Sequence, residues 1–475
     1  MNDKDADYQP TIGIECHVQL STKTKLFAPV DNNARDAEPN SKVSVICLGY
    51  PGTLPVLNQK AVELAVRAGF ALNSKINLYS TFDRKHYFYP DLPKGYQITQ
   101  FSNPIIGEGL IEFPIGNETK KVRITRAHLE EDAGKSSHPS GADYTLVDLN
   151  RAGTPLLEIV SEPDIKSAIE ARAYAKELYL RVKYAGVSDA DLYHGNMRFD
   201  VNVSVSKSGS NKLGVRAEIK NLNSFKSVQR ATEYEIKRQI EILKKGEIVV
   251  QETRGFDEDK GRTFSQRGKE EAHDYRYFPD PDIPPISLTE QQIKEIKESA
   301  YKPLTEIRAS LRKMGLDFSS VDKILDDPKI AIFINRIGSS NQNEAKKIAT
   351  WIVNSKIKID GDKLEENSDN LLSLVSMVEK GELNSTAAKD VFRLVLEKSS
   401  SPEKIAQEMN LTQNNDENAV EQIVDKIIND NPKAVEEVRS GEMKVIGYLV
   451  GQAMKESKGG ANPGMIQQLI RKKLL

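Results

Sequence analysis

The chain has 475 residues, long for one hydrophobic core and enough for about three domains. With 38% hydrophobic residues, 29% charged residues and a net charge of −2, it excludes wholesale coating of nucleic acid while leaving room for a local basic patch. Two cysteines exclude a disulfide framework, six histidines without a Cys-x-x-Cys argue against structural zinc, and no apolar run approaches a membrane span. The first residues lack the basic-then-apolar pattern of a secretion signal, so a cytoplasmic location without membrane association is expected.

From residue 10 to about 285 the sequence alternates in short runs and is rich in turns and aromatics; from about 289 it becomes helical in pattern. The change falls at Asp280, Pro281, Asp282, Ile283, Pro284 and Pro285, which cannot continue a helix or a central strand. A second break is read at residues 398–402, around Pro402. The expected domains are therefore 1–288, 289–400 and 401–475.

Along the first part, Ile12, Ile14, Cys16, Val18 and Leu20 alternate with Gly13, Glu15, His17 and Gln19. Met197, Phe199, Val201, Val203 and Val205 alternate with Arg198, Asp200, Asn202 and Ser204, and Val215, Ala217 and Ile219 with Arg216, Glu218 and Lys220. Period-two alternation predicts antiparallel strands with one face on a core. The polar faces either meet water or gather a site. Acids mixed with His, Arg and Lys favour a site, as does Glu158 inside the apolar run at 155–160, where a lone charge is costly.

The stretch HLEEDAGKS at 128–136 ends like a phosphate-binding P-loop. That motif needs glycine where Leu129 stands, and its backbone N–H groups would bind phosphate poorly beside Glu130, Glu131 and Asp132. The acids instead form a solvated turn or hold a cation. Together Glu15, His17, Glu130, Glu131, Glu158, Asp200 and Glu218 make an oxygen-rich set suited to magnesium, and with one histidine to manganese. Lys135, Arg151, Arg198 and Lys220 lie beside them as counter-charges for a phosphoryl-transfer site.

Residues 82–100, including Lys85 and Tyr87, alternate aromatics with Lys, Arg and His. This pattern suits stacking on bases beside phosphates, or an aromatic core hairpin. In the tail, residues 441–475 carry six Lys/Arg, namely Lys444, Lys455, Lys458, Arg471, Lys472 and Lys473, against Glu442 and Glu456. The excess suits phosphate-backbone contact, or the plain end of solvated helices. Gly447 and Gly451 share a helix face and predict close helix packing.

Nine stretches together resemble one family, the B subunits of aspartyl/glutamyl-tRNA amidotransferases. They are IGIECHVQL at 12–20, YPGTLPVLN at 50–58, FDRKHYFYPD at 82–91, HLEEDAGKS at 128–136 and DLNRAGTPLLEIVSEPD at 148–164. The others are EIKNLNSF at 218–225, QETR at 251–254, DYRYFP at 274–279 and GYLVGQAMK at 447–455. The likeness covers almost the whole chain. Departures at Asn196, Phe199, Val201 and 264–268 remove no acid.

The resemblance implies an α+β fold: a large antiparallel-sheet cradle domain similar to the glutamine synthetase catalytic fold, then an all-α helical domain and a small α-helical tail that contacts tRNA. It implies an enzyme that uses ATP and magnesium to activate the side-chain carboxylate of glutamate misacylated onto glutamine tRNA, or of aspartate on asparagine tRNA, for amidation by ammonia. It assigns Glu15, His17, Glu131, Asp200 and Glu218 as metal ligands with Glu130 and Glu158 beside them, and Lys85, Tyr87, Lys135, Arg151, Arg198 and Lys220 as ATP or substrate contacts. It assigns Lys455, Lys458, Arg471, Lys472 and Lys473 to tRNA. No amidase-type Gly-Gly-Ser-Ser run is present, so an amidase A subunit and a small C subunit are the implied partners. The rival expectations are a free-standing carboxylate–amine ligase for a small molecule and a non-catalytic tRNA-binding module.

Overall fold

The computed structural model describes residues 7–475 apart from 269–273, 300–302, 356, 412–416, 458–460 and 462. It contains two compact units, divided between Leu304 and Thr305. The first opens with β1 (Tyr8–Gln19), α1 (Gln59–Ala71), β2 (Ser74–Ile76), β3 (Tyr79–Ser80), β4 (Asp83–His86) and β5 (Tyr96–Thr99). Next come β6 (Ile106–Ile115), β7 (Glu118–Glu131), β8 (Lys135–Ser137), β9 (Leu146–Asp148), β10 (Pro155–Ser161) and α2 (Ala168–Tyr184). It closes with β11 (Met197–Lys207), β12 (Ala217–Leu222), α3 (Phe225–Lys244), β13 (Glu252–Asp257), β14 (Arg262–Gly268), β15 (Phe278–Pro279), β16 (Ile286–Ser287) and α4 (Glu290–Glu298).

Twelve of these strands form one sheet in the order β14-β13-β12-β11-β1-β10-β7-β5-β4-β15, with β6 and β2 branching from β7. β1 lies at its middle, antiparallel to both β10 and β11. Its even positions Ile12, Ile14, Cys16, Val18 and Leu20 are at most 1% exposed. Burial of each such aliphatic side chain contributes about 1.5–3 kcal/mol. Packing of α2 on β1, α3 on β11 and α1 on β7 covers that apolar face. The odd positions are thereby committed to the opposite face, and this places the polar set.

The sheet is mixed where a wholly antiparallel one was expected. β12 and β13 run parallel because α3 carries the chain back between them. A parallel neighbour needs a crossover of about a dozen residues or more, which a hairpin turn cannot supply. Ser224 starts that helix by accepting a hydrogen bond from the Ser227 N–H.

The division between units also falls later than the proline-rich stretch. Thr289 begins α4 with a capping box to Gln292, and α4 packs against α1 in the first unit.

The second unit is helical: α5 (Leu304–Lys313), α6 (Phe318–Leu325), α7 (Pro328–Ser340), α8 (Gln342–Asn354), α9 (Gly361–Glu366) and α10 (Ser368–Glu379). Then follow α11 (Ser385–Lys398), α12 (Pro402–Glu408), α13 (Glu417–Asp430), α14 (Pro432–Arg439), α15 (Val445–Glu456) and α16 (Pro463–Leu474). The expected linker at 398–402 is a tight turn. Ser399 adopts φ 50° after α11, Ser401 caps α12 through the Lys404 N–H, and α12 packs back on α10 and α11. Helices α13–α16 share a core of Val424, Val438, Leu449, Ile466 and Ile470. Gly447 and Gly451 do not pack as expected: both are exposed, and a Cβ on either would meet open space.

Candidate active site

Strand register assembles two triads on the polar face. β1 sets Glu15 opposite Asp200 and His17 opposite Glu158. β11 sets Asn202 opposite Glu218, β10 sets Glu158 opposite His128, and Glu130 follows His128 by two positions on β7. His17, Glu130 and Glu158 therefore offer three ligand atoms within 4.8 Å of one another, and so do Glu15, Asp200 and Glu218. His17 Nε2 stands 3.6 Å from Glu130 Oε1 and 3.7 Å from Glu158 Oε2. Those gaps are long for hydrogen bonds. They are slightly wider than the roughly 3–3.5 Å between ligands held at about 2.0–2.2 Å around one cation, so a small inward shift of these side chains would close them on an ion. Buried Nδ1 of His17 and Oδ1 of Asn202 have no hydrogen-bond partner among the described residues, and oxygen-rich donor sets of this kind fit a hard divalent ion.

Electrostatics mark the same place. Burial, then repulsion from Glu158, Glu218 and Asp200, raises the Glu15 carboxyl above its ordinary value. Glu130 is raised by burial and then by Glu158. Burial works against the ionised Glu158, yet attraction and a hydrogen bond from His128, then His17 and Lys85, hold it well below the carboxylate range. Like charges gathered in a buried site are costly without a cation.

The side chains that fix the acids are local. Asn202 Nδ2 donates to Glu15 Oε1 at 3.0 Å, the Asn221 N–H to Asp200 Oδ1 at 2.8 Å, and Thr253 Oγ1 to Glu218 Oε2 at 3.3 Å. Asn221 reaches Asp200 because it adopts φ 59° at an irregularity in the β11–β12 pairing.

Glu131 is not with the triads. Adjacent strand residues point to opposite faces, so Glu130 faces the cluster while Glu131 shares the side of Leu129. Its carboxylate pairs with Lys94 and accepts from the Ile98 N–H at 3.0 Å. The geometry thus gathers Glu130, and not Glu131, with His17 and Glu158.

Cations border both triads. Lys220 Nζ is 3.1 Å from Glu218 and 3.7 Å from Asp200; burial lowers its affinity for a proton, but those acids outweigh it and raise it. Burial opposes the charge on Lys85 too, which Glu130, Tyr277 and Glu158 restore. Lys85 Nζ lies 4.7 Å from the Tyr275 ring centre and 6.0 Å from that of Tyr87. Burial and then Glu130 keep the Tyr87 hydroxyl protonated. Arg84 and His86 instead stack on Tyr96 and Phe278, so the aromatic-basic segment is part packing and part site.

Asp132 joins Arg198 and Arg151, each at 3.1 Å, beside an open pocket of about 380 Å³ whose walls include Gln19, Asn221 and Asn223. Lys135 stands exposed on the small β8–β9 ribbon, outside both triads. The glycine before it serves packing: a Cβ on Gly134 would lie 2.9 Å from the Asp148 carbonyl oxygen. The stretch after it is a strand where a P-loop requires a helix.

His128, Asp132, Lys94 and the two asparagines carried no assigned role from sequence. His128 was within reach of one, because it sits two residues from Glu130 on a strand and so shares its face. In the tail, Lys455, Arg471 and Lys472 are exposed, whereas Lys473 is tied to Glu421 at 2.7 Å and Asp425 at 2.6 Å. Lys458 lies outside the described residues. Among the described residues no helix is long and apolar enough to cross a membrane.

Residues 10–294 match the family model of the GatB/GatE catalytic domain, and residues 333–474 that of the GatB domain. The chain is 44% identical to the B subunit of the aspartyl/glutamyl-tRNA(Asn/Gln) amidotransferase of Persephonella marina, over 98% of this chain and 100% of that protein. Proteins of the same name from Trichodesmium erythraeum and Trichlorobacter lovleyi are each 45% identical over 98% of this chain, and over 98% and 99% of their own lengths. The chain belongs to the family of aspartyl/glutamyl-tRNA(Asn/Gln) amidotransferase B subunits.

Proposed function

We propose that this chain is the amidating subunit of an ATP-dependent ligase that converts glutamyl-tRNA(Gln), and aspartyl-tRNA(Asn) where it is supplied, to the amide forms. The observation that carries the reading is the pair of acidic triads on one sheet face, in a chain that matches amidotransferase B subunits over nearly its whole length. A small-molecule ligase or a non-catalytic binding module has no comparable support.

An ionised carboxylate resists attack by ammonia because it has no leaving group. Transfer of the γ-phosphoryl group of ATP to a carboxylate oxygen releases ADP and makes an acyl phosphate; ammonia then adds at the carbonyl carbon and phosphate leaves. Divalent magnesium, or manganese, held by His17, Glu130 and Glu158 and by Glu15, Asp200 and Glu218, would supply charge neutralisation between the phosphates and the acceptor. Arg198 and Arg151, aligned by Asp132, offer guanidinium groups to phosphate or carboxylate oxygens. Lys220 and Lys85 hold positive charge at either flank, and Asn221 keeps Asp200 fixed by its backbone N–H.

Ammonia comes from glutamine on an amidase A subunit, with a small C subunit joining the assembly in the cytoplasm. The sheet domain acts as a cradle like that of glutamine synthetase, the helices that follow it as a helical domain, and 401–475 as a tRNA-contacting tail that uses Lys455, Arg471 and Lys472. Reconstitution with A and C subunits tests the reading. Asp200→Ala is expected to abolish amidation of misacylated tRNA and tRNA-dependent ATP hydrolysis, and an unchanged rate would remove the triads from the mechanism.

A further inference from the structure

We infer that His128 is a positioning residue that orients Glu158 and Glu130 toward His17; the inference rests on the triad reading above. The imidazole is 3% exposed on the polar face of β7, directly across the strand pair from Glu158. Its Nε2 lies 3.3 Å from Glu158 Oε2 and 3.9 Å from Glu130 Oε2. That same Glu158 oxygen stands 3.7 Å from His17 Nε2, so it is bracketed by two imidazoles. His17 is partly exposed, whereas His128, on the far side of Glu158 in the same cross-strand row, is buried.

The arrangement separates the two histidines by task. His128 Nδ1 is buried with no hydrogen-bond partner among the described residues, so its polar work is done by Nε2 alone. A buried polar atom without a partner is destabilising, and a residue serving only to fill space there would be better apolar. With its proton on Nε2, His128 would hold one carboxylate oxygen of Glu158, 3.3 Å away, and leave the remaining lone pairs for an ion. Outer partners of this kind set the orientation of ligands that touch the metal.

The experiment is Mn²⁺ binding to the full-length chain by calorimetry, without turnover, beside hydrogen exchange of β7 and β10 to follow folding. His128→Leu removes the donor; His128→Gln returns an N–H near the Nε2 position. His128→Leu is expected to weaken Mn²⁺ binding by about 10- to 100-fold, with His128→Gln staying within about threefold of the parent. Parental affinity in a folded His128→Leu chain overturns the assignment. Equal loss in both variants also overturns it, because that is the behaviour of a direct ligand. Should His128→Leu not fold, His128→Asn takes its place, since its shorter amide stops short of Glu158. Glu158→Gln separates the two levels of argument: parental Mn²⁺ affinity there defeats the triad reading itself, whereas loss there with parental affinity in His128→Leu defeats only the positioning role.

Discussion

Glu130 and Glu131 are neighbours in the chain with opposite duties, and their replacement should fail in opposite ways. The side chains of Glu131 and Lys94 are 4% and 9% exposed, and the Ile98 N–H also depends on that carboxylate. Glu131→Ala leaves a buried ammonium without its partner, a loss of about 3–5 kcal/mol. Against a net stability of about 5–15 kcal/mol this is a large fraction. Glu130→Gln instead removes one negative charge from a cluster short of cations, so the metal-free chain should hold or gain stability. What it loses is the ion. A divalent ion at 100 times its Kd stabilises the folded state by about 2.7 kcal/mol, and that increment should vanish in Glu130→Gln and persist in Glu131→Ala. The lone tryptophan, Trp351, lies in α8 of the other unit, so its fluorescence does not follow the sheet. Hydrogen exchange of peptides from β1 and β10, with and without Mn²⁺, reads the right place. A Glu130→Gln chain that keeps the Mn²⁺ increment, or a Glu131→Ala chain of parental stability that loses it, would refute the reasoning.

Three further outcomes are expected. Because burial and neighbouring acids raise the Glu15 carboxyl, the metal-free folded state is favoured at low pH and penalised increasingly as pH climbs past the ordinary unfolded value of about 4.3. Glu15→Gln should therefore change little at pH 4 and stabilise the metal-free chain at pH 7, seen as slower exchange in β1. Arg198→Ala should cut kcat/KM for tRNA-dependent ATP hydrolysis by about tenfold or more, equivalent to about 1.4 kcal/mol of transition-state stabilisation, and parental kinetics would remove it from the site. The triple change Lys455→Glu, Arg471→Glu, Lys472→Glu should weaken tRNA binding and flatten its salt dependence by about two to three phosphate contacts. Lys473→Ala should leave that slope alone, because its ammonium already pairs with Glu421 and Asp425.

Local pattern carried the central strands. Alternation predicted strands at Ile12–Leu20 and Met197–Val205; β1 begins earlier, at Tyr8, and stops at Gln19, and β11 begins at Met197 and runs on to Lys207. Alternation also separated Cys16 from Glu15 and His17, because side-chain direction follows directly from period two. Applied to Glu130 and Glu131 the same rule forbids both from facing one ion, a consequence the acid-rich motif concealed. Grouping into triads needed strand register, which depends on tertiary pairing between β1, β10 and β11 and leaves no trace in spacing along the chain. Long-range packing hid the rest. The seat of α4 against α1, the parallel return through α3 and the ion pairs of Lys473 join segments whose local composition reads otherwise.

The most direct measurement is anomalous scattering from crystals of the chain soaked in Mn²⁺. The account predicts density between His17, Glu130 and Glu158 and between Glu15, Asp200 and Glu218, with Glu131 still on Lys94. Strong Mn²⁺ peaks elsewhere, or none on this face at saturating metal, would contradict it.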